Sequence, residues 1–107
     1  MSSEIAIAAR PIGPAHPPYV IAELSANHMG RLERALDLIE IAAKAGTSAV
    51  KLQTYRADTI TIDHDGPEFL LHGGLWDGRR LYELYEEAHT PWEWHADLFA
   101  RAKACGL

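Results

Sequence analysis

Val50-Lys51-Leu52-Gln53-Thr54 is the stretch on which the fold turns. Its alternation predicts a β-strand, with Val50, Leu52 and the methyl of Thr54 on one face and Lys51 and Gln53 on the other. A lysine at the centre of a strand has two readings. On an edge strand its ammonium stands in water. On a parallel strand whose polar face lines a cavity, it needs an anion.

A second strand favours the cavity. Tyr19-Val20-Ile21-Ala22-Glu23-Leu24 is an apolar run that ends on a carboxylate, and Ile21, Glu23 and Ser25 share a face. Ser25-Ala26-Asn27-His28-Met29-Gly30 follows, small and polar, as a tight connection requires. Leu32, Leu36, Ile39 and Ala43 then recur at helical spacing, with Ala35, Leu38 and Ala42 widening the stripe. Gly46 stands just past Lys44 and Ala45, where a helix ends on glycine. Strand, helix and strand in this order predict a βαβ unit with parallel strands. Both strands put polar groups at their C-terminal ends, where α/β folds bind ligands.

The rest of the chain builds outward from this unit. Glu4 to Ala9 is expected as a short strand, and Pro11 to Pro18, with four prolines and a glycine, as a non-helical connector. Thus residues 1–18 read as an N-terminal strand and connector, and 19–107 as two βα units. Between residues 55 and 78, Thr59-Ile60-Thr61-Ile62 reads as a short β segment, and His72 to Gly78 as a glycine-rich ordered loop. Leu81, Leu84, Tyr85 and Ala88 predict a short amphipathic helix. Thr90-Pro91-Trp92-Glu93 reads as a helix start with Thr90 as N-cap and Glu93 closing a capping box. Trp94, Leu98, Phe99, Ala102 and Cys105 form its buried stripe, and Gly106 its end. A third strand is expected after that glycine. Two or three strands cannot bury both faces of a parallel sheet, so the 107 residues read as part of a larger α/β fold.

Composition narrows the function. The chain is 48% hydrophobic and 23% charged, which is globular. A net charge of −5 argues against a nucleic-acid backbone binder, although it leaves room for a local cationic pocket. One cysteine forms no internal disulfide and fits a reducing compartment. No apolar run approaches the ~20 residues that span a bilayer, and the N-terminus lacks a signal peptide's basic start. A cytoplasmic protein with no membrane or nucleic-acid partner is expected.

Tyr19 to His28 and Ala45 to Tyr55 resemble the opening of the sialic acid synthase family, which condenses phosphoenolpyruvate with an N-acetylated sugar. Glu23 to His28, Leu75 to Gly78, Leu81 to Tyr85 and His89 to Trp94 resemble its pseudaminic acid branch. The likeness runs from about Tyr19 to Leu107. It implies the N-terminal portion of a (β/α)8 barrel, incomplete over this length, since a barrel takes about 250 residues. It also implies condensation of phosphoenolpyruvate, water and a 2,4-diacetamido-2,4,6-trideoxy hexose to a nonulosonic acid and phosphate. Neuraminate and legionaminate synthesis are the alternatives within the family. A non-catalytic piece acting by association is the alternative of another class.

By the same resemblance, Lys51 binds the anionic substrate and Gln53 is its polar partner. Glu23 is the catalytic carboxylate, bonded to sugar hydroxyls or to the reacting water. Asn27 and His28 line the sugar side. A divalent metal, Mn or Mg, is implied for the full-length enzyme, with ligands outside this segment, as is a homodimer. From the residues alone, Glu23 and Lys51 also read as a simple ion pair, and His28 as a loop hydrogen-bonder. His16, His64, His72, His89 and His95 lack metal-ligand spacing. Trp76, Trp92 and Trp94 read as packing anchors, and Cys105 as an inert core residue.

Overall fold

A hairpin opens the chain. In the computed structural model, which describes residues 3–107, β1 (Ile5–Ile7) pairs antiparallel with β2 (Arg10–Ile12). The expected Glu4–Ala9 strand therefore stops at Ile7, and the expected connector begins with a second strand. Ala8 and Ala9 form the turn at φ 49° and 65°. Such a turn ordinarily announces itself by Asn or Gly, which is why the sequence conceals it. Pro11 is tolerated because β2 is an edge strand.

The βαβ unit forms as expected. β3 (Ile21–Glu23) and β4 (Ala49–Lys51) are parallel neighbours, with Ile21 beside Ala49, Ala22 beside Val50 and Glu23 beside Lys51. Between them runs α1 (Leu32–Lys44). It ends in a Schellman motif: Gly46 N–H donates to the Ala43 carbonyl and Thr47 N–H to that of Ala42. Gly46 stands at φ +88°, a conformation that favours glycine.

Beyond β4 the sequence is less transparent. Ala57–Ile60 is a single helical turn, α2, where alternation predicted a β segment. The residue that wins this contest is Thr59. Its hydroxyl accepts from the Arg56 N–H at 3.1 Å and donates to the Arg56 carbonyl at 2.7 Å. Among the described residues no strand lies alongside to offer a competing ladder. A 3-10 turn at Pro67–Phe69 follows, and an antiparallel bridge between Leu70 and Arg80 closes the next loop. Arg80 gathers Asp63, Asp65 and Glu83 at the base of that loop.

α3 (Leu81–Ala88) is the expected amphipathic helix. The next helix, α4 (His95–Ala104), starts later than Thr90-Pro91 predicted, after a 3-10 turn at Trp92–Trp94. No side chain caps either start, so the capping box does not form. Thr90 is instead drawn into the core, where its N–H donates to the Gln53 carbonyl at 3.0 Å.

Leu24, Ala35, Ile39 and Leu98 make the core, wrapped by Leu32, Leu36, Leu38, Val50, Leu52, Trp94, Ala102 and Leu107. α1 and α4 therefore cover one face of the β3–β4 sheet, and Arg101 reaches Glu40 across them at 2.6 Å. The other face, carrying Ile21, Glu23 and Lys51, is open. Trp94 is a packing anchor, but Trp76 and Trp92 are exposed, as is Phe99. The radius of gyration is 17.3 Å, against about 13 Å for a compact domain of this length. Among the described residues no helix is long and apolar enough to cross a membrane.

Candidate functional site

The register of two strands builds the site. Glu23 and Lys51 are the last residues of β3 and β4 and stand directly beside each other. Side chains alternate along a strand. Because Val50 and Leu52 pack into the helices, Lys51 projects from the opposite, open face. Its Nζ donates to Glu23 Oε1 at 3.2 Å. The two side chains are 59% and 64% exposed. An ion pair so open to water contributes roughly 0–1 kcal/mol to stability, so both groups are available to a ligand.

Gln53, two residues on, is half-buried. Its carbonyl accepts from Thr90 and Tyr55 N–H groups at 3.0 and 3.2 Å, which fixes the exit of β4 to the α3–α4 junction. Thr54 strengthens the same link. Its Oγ1 lies 2.7 Å from His95 Nε2, while His95 Nδ1 lies 3.1 Å from the Pro91 carbonyl and 3.2 Å from that of Trp92. A carbonyl only accepts, so Nδ1 carries the proton and Nε2 accepts from the Thr54 hydroxyl. No local pattern announces this bond, because 41 residues separate its partners.

The turn after β3 is held in an unusual backbone. Ser25 and Met29 have φ of 50° and 52°, and Gly30 has 74°. Bonds from Asn27 N–H to Leu24, Met29 N–H to Ala26 and Arg31 N–H to His28 carbonyls, each at 3.1 Å, stitch it together. Asn27 is exposed at this end of the sheet, and Arg34 Nε donates to its carbonyl at 2.6 Å.

His28, expected on the sugar side, points into the core and is 1% exposed. Its Nδ1 accepts from the Gly30 N–H at 3.0 Å, and its ring meets Trp94 edge-on at 5.2 Å. Nε2 is buried with no hydrogen-bond partner. Burial holds this imidazole below the usual histidine range; the nearby Ala88 carbonyl works against that and His89 adds to it. Glu23 and Lys51 thus come together, Asn27 and Gln53 lie in the segments that follow them, and His28 stands apart.

A shallow depression of about 330 Å³ beside Arg56, Tyr82 and His89 includes neither Glu23 nor Lys51. A larger one of about 530 Å³ runs past Ile21, Lys51, Leu52, Thr54 and His95, touching residues from both faces of β4. Among the described residues no group of three or more His, Cys, Asp or Glu side chains is placed to hold a metal ion.

The NeuB family model matches residues 38–107. The chain is 54% identical over 89 residues to a pseudaminic acid synthase of Campylobacter jejuni, covering 83% of this chain and 26% of that protein. It is 44% identical over 91 residues to a pseudaminic acid synthase of Helicobacter pylori, covering 85% and 27%. The N-acetylneuraminic acid synthetase of Leptospira borgpetersenii, solved with citrate, superposes with a TM-score of 0.76 at 27% identity, over all of this chain and 33% of that one. The chain spans roughly a quarter of the length of the curated relatives it matches.

Proposed function

Since the chain belongs to the NeuB family, we propose that it supplies the opening βα units of a (β/α)8-barrel nonulosonic acid synthase of the pseudaminic type. The enzyme joins C3 of phosphoenolpyruvate to the aldehyde of a 2,4-diacetamido-2,4,6-trideoxy hexose. Water adds at C2 and phosphate leaves. The observation that carries this reading is the contact between Glu23 and Lys51, side by side at the C-terminal ends of parallel strands and open to solvent. That end of a barrel strand is where catalytic groups stand.

Phosphoenolpyruvate brings a carboxylate and a phosphate, so its site needs a cation already in place. Lys51 is that cation, and on binding it exchanges part of its contact with Glu23 for the ligand. Glu23 accepts a hydrogen bond from a sugar hydroxyl or from the water that adds at C2. Gln53 and Asn27 supply polar contacts to the substrates. His28 is buried, so its contribution passes through the turn. The residues described here offer no metal-binding cluster. The divalent ion implied by the family takes its ligands elsewhere in the complete enzyme, and no step here depends on it. A cytoplasmic homodimer completes the reading.

The test is phosphate release by the complete enzyme. Release that requires both phosphoenolpyruvate and the diacetamido-trideoxy hexose, and is slower with N-acetylmannosamine, is expected. Release driven best by N-acetylmannosamine moves the enzyme to the neuraminate branch. No sugar-dependent release with any of these sugars overturns the proposal.

A further inference from the structure

His28 is the one side chain of the β3–α1 turn whose burial its chemistry does not explain. The pocket has an aromatic neighbour in Trp94 and would accept an apolar ring. A histidine there leaves Nε2 buried near the Ala88 carbonyl but without a formed hydrogen bond, which is unfavourable unless the other ring nitrogen does something a phenyl ring cannot. That nitrogen, Nδ1, accepts from the Gly30 N–H. The bond lies in a turn with two non-glycine residues at positive φ, a state that persists only where surrounding contacts over-determine it. The same ring touches the segment whose Thr90 N–H is bonded to the Gln53 carbonyl. One imidazole therefore joins the exits of both strands that carry Glu23 and Lys51.

We infer that His28, neutral and protonated on Nε2, is a positioning residue that locks the Ser25–Gly30 turn against the α3–α4 junction, and that protonating the ring opens this lock. The inference rests on the synthase reading for its effect on turnover. An imidazolium has hydrogens on both nitrogens, so Nδ1 no longer accepts and the Gly30 N–H loses its partner. The groups around the ring offer the new charge no counter-ion. They are His89 and the Ala88 carbonyl at the end of α3 and the indole of Trp94 ahead of α4. A buried cation without an anion is unstable.

The complete enzyme, with His28→Asn and His28→Phe, tests this. An asparagine oxygen replaces Nδ1 as acceptor and does not titrate. His28→Asn is expected to keep turnover within about threefold at neutral pH and to lose part of the acid fall in activity, while folded His28→Phe loses on the order of tenfold in turnover. Wild-type turnover and acid profile in His28→Phe, or an unaltered acid fall in His28→Asn, overturns the inference. Nuclear magnetic resonance of the complete protein, labelled in histidine and glycine nitrogen, decides independently of activity. Nε2–H as the neutral form, with the Gly30 amide shifting at the His28 midpoint, supports the lock. The Nδ1–H form, or a Gly30 amide indifferent to that midpoint, overturns it. Should the wild-type enzyme release no phosphate, the synthase reading falls and the resonance measurement still decides the lock.

Discussion

Lys51 is where residue chemistry and function meet. Removing its ammonium deletes a charge-assisted hydrogen bond to the anionic substrate, worth ~1.5–3 kcal/mol. Lys51→Ala in the complete enzyme is therefore expected to raise the KM for phosphoenolpyruvate roughly ten- to a hundredfold, with a smaller effect on the sugar. Lys51→Arg is expected to rescue only in part, since a planar fork does not replace a compact ammonium. Stability should change by less than about 1 kcal/mol, because the Glu23 partner is largely in water. Unchanged steady-state constants for phosphoenolpyruvate would make Lys51 a structural partner of Glu23 and nothing more. At His28 the issue is pH. Its folded pKa is lowered by burial, whereas the unfolded value is about 6.5. The unfolded state thus binds the proton first. The stability from keeping this ring neutral is whole above about pH 6.5 and is lost as pH falls from there through the lower folded value. Urea midpoints of the wild type and His28→Asn, followed from pH 8 to 5, are expected to converge on acidification. Parallel curves would show that His28 does not titrate on unfolding.

Among the elements, α1 holds the site from behind. Ile39 is fully buried at the centre of the core. Ile39→Ala is expected to cost about 2–5 kcal/mol in a denaturation of the complete protein, from lost burial and the cavity left. A loss below about 1 kcal/mol would mean that the helix–sheet contact is not where stability resides. The end of α1 gives a sharper test. A Cβ at Gly46 meets nothing within 4 Å, yet the backbone sits at φ +88°. Gly46→Ala should therefore destabilise through backbone strain alone, by roughly 1–2 kcal/mol. Since Gly46 lies just ahead of β4, a folded variant should retain its KM for phosphoenolpyruvate. A marked rise in that constant would show that the helix end also sets the position of Lys51.

At the scale of the whole molecule, the exposed surface is the main fact. The chain exposes 7342 Å², against roughly 5,900 Å² expected of a folded monomer of its size. Much of the excess is apolar: Ile21 on the sheet, Phe99 on α4, and Leu75, 86% exposed at a loop tip. Among the described residues only one face of the β3–β4 sheet is covered, and both edges of the sheet are free. Expressed as these 107 residues, the protein is expected to self-associate or aggregate. Sugar-dependent phosphate release should be absent. Light scattering that shows a stable monodisperse monomer at tens of micromolar would contradict this.

The sequence by itself determined the βαβ unit, because its signals are periodic and local. Alternation around Lys51, the 3.6-residue stripe from Leu32 to Ala43 and the glycine after Lys44 each carry one physical cause with no strong competitor. Parity alone put Glu23, Lys51 and Gln53 on a common face, and the structure pairs Glu23 with Lys51 there. Tertiary structure decided what depends on distant partners. Thr59-Ile60-Thr61-Ile62 has strand alternation, but with no strand beside it a threonine hydroxyl closed a helical turn. Thr90 has the chemistry of an N-cap, but its N–H went to Gln53 and the helix began later. His28 reads as a polar loop residue until Trp94, 66 residues along the chain, is found against its ring. At Thr90 and His28 a local preference of about 1 kcal/mol yielded to burial and contacts that exist only once the elements have packed, whereas at Thr59 the local bond decided because packing brought no strand beside it.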